Sequence, residues 1–180
     1  MAAHPYDLIA AARRRALRGW LRPRFAHFGA GASFDPLSST IAGYEYIRLG
    51  EGVFIGPHAY LSADGVEIAI GADTVIGPGF YAIAGDHRID EPGVTFRGSD
   101  RGVNQAIRIG CNVWIGARVT VLKGVTIGDG AVIGAGSIVT RDIDSFAVAV
   151  GTPARQVRWR FQGEERAVHE RLLSRLRSSC

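Results

Sequence analysis

Cysteine is scarce in this chain. Only Cys111 and Cys180 occur among 180 residues, too few for a disulfide framework, so a secreted scaffold stapled by bridges is excluded and a reducing compartment is the simpler expectation. Long apolar runs are missing as well. Arginines break up the segment that follows Ile9, so neither a signal peptide nor a membrane span is expected, and the predicted location is cytoplasmic. Histidine is sparse: His4, His27, His58, His87 and His169 stand far apart, no close pair has zinc-ligand spacing, and no metal is expected. No nucleic-acid motif accompanies the modest net charge of +4, so nucleic acid is not an expected partner. Association with a membrane surface has no support beyond the arginines themselves.

Glycine, by contrast, is abundant at 24 residues, and it falls in phase with a repeat. Ile109, Ile115, Val121, Ile127, Ile133 and Val139 stand at an unbroken spacing of six, a period of neither a helix nor an ordinary strand. It is the repeat of a parallel β-helix, which lays down one short strand and one turn every six residues. Gly110, Gly116, Gly128 and Gly134 follow four of the six, and the position four beyond is small or β-branched: Val113, Val119, Val125, Ala131, Ser137. The expected reason for the glycines is a turn conformation that side chains disfavour. The same phase occurs upstream at Leu49, Ile55 and Leu61 and at Ile70, Ile76 and Ala82. Alternating strands of a sandwich would not keep one phase over so many hexads. Two irregularities interrupt it: a step of nine from Leu61 to Ile70, and one of twenty-seven from Ala82 to Ile109. The second reads as a loop thrown out of the coil.

The predicted architecture is an all-β solenoid with a short helix at each end. Residues 1–30 form a basic helical segment, in which Leu8, Ala12, Ala16 and Trp20 recur near helical spacing among Arg13, Arg14, Arg15 and Arg18. Residues 31–155 form the coil, with the extruded loop at about 84–108. Residues 156–180 hold a C-terminal helix, starting at Gly163 and carrying a stripe of Val168, Leu172, Leu173 and Leu176. The helices are expected to cover ends or flanks of the coil, whose strand edges would otherwise recruit other chains.

The segments IGCNVWIGA (109–117), GVTIGDGAVIGAGSIVTRD (124–142) and GTPAR (151–155) resemble those of the hexapeptide-repeat O-acetyltransferases, in particular the maltose and galactoside enzymes and the sugar acetyltransferases of capsule, colanic acid and O-antigen synthesis. The resemblance covers roughly residues 45–160. It implies a left-handed β-helix, a homotrimer, and acetyl transfer from acetyl-CoA to a hydroxyl, with a sugar or glycan as acceptor. It also implies roles for residues. A histidine in the extruded loop acts as general base, and the loop sequence AGDHRIDEP (84–92) places His87 there, with Asp86 as a candidate to orient its ring. A neutral imidazole suits the task, because an alcohol is a poor nucleophile until its proton is taken. The main-chain NH of Ala117 is the oxyanion donor. Ala117, Ala135, Thr140 and Arg141 correspond to positions along the pantetheine arm, and Arg155 and Arg158 to those that meet the adenosine phosphates. Arg141 stands where lysine is usual. Trp114 corresponds to a wall of the acceptor site, and Arg88, with Arg97 and Arg101, gives the loop a basic character suited to an acidic, nucleotide-linked or lipid-linked sugar.

Three alternatives remain at this level. One is another hydroxylated acceptor such as an antibiotic, and a second is a non-catalytic β-helix scaffold, against which the loop histidine and the cofactor block argue. The third, a γ-type carbonic anhydrase, needs three imidazoles on zinc and has no histidine pair here to supply them. Cys111 lies in a hexad turn with no histidine nearby in sequence, so direct transfer is expected rather than an acetyl-cysteine intermediate.

Overall fold

The computed structural model describes residues 5–176, with side chains from Ile9 onward; His4, Cys180 and the Leu8 side chain lie outside the described residues. The hexads wind into a three-sided parallel coil. Sheet A stacks His27–Phe28, Ile47–Leu49, Ile68–Ile70, Ile107–Ile109 and Thr126–Ile127. Sheet B stacks Phe54–Ile55, Val75–Ile76, Trp114–Ile115, Val132–Ile133 and Ala147–Gly151, and ends in an antiparallel strand, Ala154–Trp159. Sheet C stacks Thr40–Ala42, Tyr60–Ser62, Tyr81–Ile83, Thr120–Leu122 and Ile138–Val139. The six-residue phase is borne out as columns of inward side chains. Leu49, Ile70, Ile109 and Ile127 pair in succession through sheet A, Ile55, Ile76, Ile115 and Ile133 through sheet B, and Leu61, Ala82, Val121 and Val139 through sheet C. All are buried. Each fully buried aliphatic contributes about 1.5–3 kcal/mol, so the columns form one continuous core. Ala82 is the small member of its column, and Phe80 beside it is completely buried.

The corner glycines serve a different purpose from the expected one. Gly50, Gly71, Gly110 and Gly128, and likewise Gly56, Gly77 and Gly116, do not adopt left-handed backbone; that conformation falls two residues later, at Gly52, His58, Asp73, Gly79, Asn112, Arg118 and Gly130. Glycine is required at the corner because the next coil lies directly against it. A Cβ at Gly71 would stand 2.6 Å from the carbonyl carbon of Gly110, and one at Gly77 would stand 2.7 Å from the Ala117 nitrogen.

The helices depart from the expected packing in detail. Helix α1 (Pro5–Leu21) exposes Ala12, Ala16 and Trp20 and turns Arg14, Leu17, Arg18 and Leu21 toward the coil. The arginines prevail over the apolar stripe because they find fixed acceptors: Arg14 donates to Asp35 at 3.1 Å, and Arg18 to the Phe34 carbonyl at 3.4 Å. Helix α2 (Gly163–Leu176) begins at the predicted glycine. It buries Leu173 and part of Leu176 with Ala72, Cys111, Phe146 and Phe161, while Val168 and Leu172 stay exposed. Cys111 belongs to this second cluster, and its sulfur is engaged rather than free. The helix is also held by His169, whose Nε2 lies 2.9 Å from Asn112 Oδ1 and whose ring packs against those of Phe146 and Phe161.

Two outcomes follow from these contacts. Gly71→Ala should lose about 1–3 kcal/mol of stability in urea unfolding, the usual cost of overpacking, whereas Gly98→Ala, whose Cβ meets nothing closer than 3.5 Å, should unfold like the parent. Burial holds the His169 imidazole below its ordinary range, and the Arg160 guanidinium adds to the effect. The folded state therefore prefers the neutral ring. The stability this confers is complete above the unfolded value near 6.5 and is lost as pH falls below it. Urea titrations between pH 7.5 and 5 should show that decline, and it should be smaller in His169→Gln.

Candidate active site

Both breaks in the period fall at the same corner, between sheets C and A, on adjacent coils. The short insertion places Asp64 in left-handed backbone. The long one, residues 84–106, leaves the end of Tyr81–Ile83 and returns to Ile107–Ile109. Its base is closed by the Gln105 amide on the Ala84 carbonyl at 2.9 Å. Its limbs form a narrow antiparallel ribbon: His87 bridges Arg101, and the Gly102 amide donates to the Asp86 carbonyl at 3.0 Å. The short insertion supports the ribbon. Arg101 donates to Asp64 Oδ1 at 2.6 Å, Ser62 donates to Asp64 Oδ2 at 3.1 Å, and Asn104 Nδ2 donates to the Asp64 carbonyl at 2.6 Å. Asn104 Oδ1 is buried without a hydrogen-bond partner.

His87 is exposed at the junction of two open depressions. The larger, about 620 Å³, is lined by Arg88, Asp100, Arg101, Val103 and Lys123; the smaller, about 280 Å³, by Tyr60, Ser62, Asp64 and Ile83. Cavities of these sizes admit a sugar-sized ligand. The Asp86 carboxylate, the candidate ring orienter, instead accepts from Lys123 Nζ at 2.7 Å. Arg88 lines the larger depression but donates to Asp90 at 2.9 Å within the loop. Lys123 escaped the sequence reading. One signal marked it: it is the chain's single lysine among 21 basic residues.

The other predicted residues lie elsewhere. Trp114 is exposed on the outer face of sheet B, between Val75 and Val132. Ala117 and Ala135 follow successive sheet B strands at the corner between sheets B and C, where the Ala117 carbonyl accepts from the Gly136 amide at 2.8 Å. Thr140 follows Ile138–Val139, and Arg141 shares a recess of about 120 Å³ with Asp142, Asp144 and Arg155. Arg158 sits opposite Val148 on the antiparallel edge. His87 and Ala117 therefore stand at opposite edges of sheet C: the strand Thr120–Leu122 runs between Ala117 and Lys123, the partner of the His87 ribbon. One chain does not bring the two halves together. Among the described residues no cluster of three or more His, Cys, Asp or Glu side chains forms a metal site, and no helix is long and apolar enough to cross a membrane.

Comparison with known proteins places this geometry. Residues 106–141 match the bacterial transferase hexapeptide (six repeats) family. Nodulation protein L of Rhizobium meliloti (strain 1021) is 38% identical over 141 residues, which cover 76% of this chain and 72% of that protein. The chain belongs to the hexapeptide-repeat acetyltransferases. A hexapeptide-repeat containing acetyltransferase of Vibrio cholerae O1 biovar eltor, solved with acetyl coenzyme A, superposes with a TM-score of 0.72 at 31% identity, covering 84% of this chain and 79% of that one. A galactoside acetyltransferase in complex with coenzyme A superposes with a TM-score of 0.74, again at 31% identity, covering 88% of this chain and 74% of the other. The coil is the left-handed parallel β-helix of these enzymes.

Proposed function

We propose that this acetyltransferase moves the acetyl group of acetyl-CoA to a hydroxyl of a sugar or glycan in a polysaccharide pathway, with His87 as general base. The observation that carries the reading is the location of His87, on a pinned ribbon between two sugar-sized depressions, in a coil superposable on enzymes solved with acetyl coenzyme A and coenzyme A. The neutral imidazole accepts the acceptor's hydroxyl proton as the oxygen attacks the thioester carbonyl. The resulting oxyanion meets the Ala117 amide. Collapse of the tetrahedral intermediate breaks the C–S bond, and the imidazolium returns its proton to the departing thiolate. Ala117, Ala135, Thr140 and Arg141 border the pantetheine arm, and Arg155 and Arg158 serve the phosphates. Trp114 and Arg88 contact the acceptor; Arg88 does so by exchanging Asp90 for an acidic group. Asp86 orients His87 through the ribbon rather than by a direct bond. A cytoplasmic location fits a consumer of acetyl-CoA.

The separation of His87 from Ala117 supports a homotrimer with sites shared between chains. Sheet C lies between them, and its outer face carries the stacked rings of Tyr60 and Tyr81, 5.7 Å apart, with Leu122 beyond. Closed cyclic packing on that face covers apolar surface and sets one chain's ribbon against the next chain's Ala117 corner.

His87→Ala should reduce turnover by about 10²–10⁴-fold with acetyl-CoA affinity unchanged, measured by thiol release with a panel of sugar acceptors; a folded variant that keeps a tenth of the parental rate refutes the base. Co-expression of His87→Ala with Ala117→Trp should restore part of the activity that each lacks alone. No recovery, or a stable monomer in sedimentation at micromolar concentration, refutes the shared site.

A further inference from the structure

The ribbon that bears His87 has little to hold it by packing. Every residue from Asp86 to Gly98 is exposed, and its apolar side chains face outward, with Ile89 83% and Phe96 64% accessible. Its position must therefore come from polar anchors, which reach it from Asp64 and Lys123 of the coil. Arg101 ties the returning limb to Asp64. Lys123, at the end of the sheet C strand Thr120–Leu122, reaches both limbs at once: its ammonium donates to Asp86 Oδ1 at 2.7 Å and to the Val103 carbonyl at 3.0 Å. Its side chain is only 28% accessible, and two of its three donors are engaged, a geometry suited to a compact ammonium. Gly102 makes room for the clasp. A Cβ there would run into Asp86 Oδ1 and stand 3.1 Å from the His87 carbonyl oxygen.

We propose that Lys123 is a positioning residue for acetyl transfer, clasping the outgoing and returning limbs of the His87 ribbon to the edge of sheet C. The proposal rests on His87 as the base. Asp86 immediately precedes His87, so the grip on its carboxylate sets where the imidazole begins, and misplacement of a reacting group by about an ångström has large kinetic consequences. The clasp lies outside the core columns, which are complete without it. Its removal should therefore spare the coil.

The test is Lys123→Met beside Lys123→Arg, Asp86→Asn and the Lys123→Met/Asp86→Asn double variant, with His87→Ala in parallel. Lys123→Met should lower kcat about tenfold, with the KM for acetyl-CoA within about twofold and the melting temperature unchanged. Lys123→Arg should recover part of the loss. In the Lys123→Met/Asp86→Asn double variant the loss should not exceed that of the worse single one. Tryptic nicking at Arg88 or Arg97 should accelerate several-fold in Lys123→Met and stay at the parental rate in His87→Ala. A Lys123→Met enzyme with parental kcat, a loss that tracks a lower melting temperature or a raised acetyl-CoA KM, or unchanged nicking each overturns the clasp. If His87→Ala stays active, the base assignment falls, and the nicking rate alone decides the clasp.

Discussion

The separation between successive coils is the constraint on which the structure depends. Parallel strands lie about 4.8 Å apart, and here that spacing continues through the corners: the amides of Gly50, Gly71, Gly110 and Gly128 donate to the carbonyls of Ile70, Ile109, Ile127 and Ile143, each at 2.8 Å. A backbone paired at its turns as well as its strands has no slack. It demands bare Cα atoms at the corners and aliphatic side chains of matching size within, and it leaves buried amides satisfied along the whole coil.

Against such a regular frame, side chains are carried away from the coil only where regularity fails. The chain fails twice, and the failures are stacked. The short insertion supplies Asp64 and Asn104's acceptor carbonyl, and the long one supplies Arg101 and Asn104 to meet them. The candidate site is thus built by one departure bracing another. The uninterrupted corner between sheets B and C has the opposite character. There Gly77 and Gly116 lie against the backbone of Ala117 and Ala135, which leaves a smooth strip of main chain suited to a long, thin ligand.

The sequence disclosed the coil almost completely, because a column such as Leu49, Ile70, Ile109, Ile127 is fixed by local spacing alone. It misled about the corner glycines, since contact with the next coil and unusual backbone both leave glycine behind; only the structure separates them. It misled about α1 for a related reason. Ala12, Ala16 and Trp20 make an apolar stripe, but Asp35 and the Phe34 carbonyl, which draw Arg14 and Arg18 inward, are invisible from the helix itself. The placement of His87 in an extruded loop was legible from the break in the period. The partners of that loop were not: Lys123 and Asp86 are 37 residues apart, and no local pattern joins them. Asp86 and Arg88 look available in sequence, yet each carries an ion pair in the fold.

The long loop leaves no trace in the ladder beneath it. Ile68 pairs Ile107 and Ile70 pairs Ile109 as if the chain had passed directly from one coil to the next, and the loop's ends are joined at the Ala84 carbonyl. Loop-closure entropy grows only slowly with length, so segments of quite different size can be exchanged at this point at little thermodynamic cost to the coil. The solenoid thus acts as a socket with one interchangeable fitting, which can change by insertion and deletion without compensating change in the columns that hold the protein together.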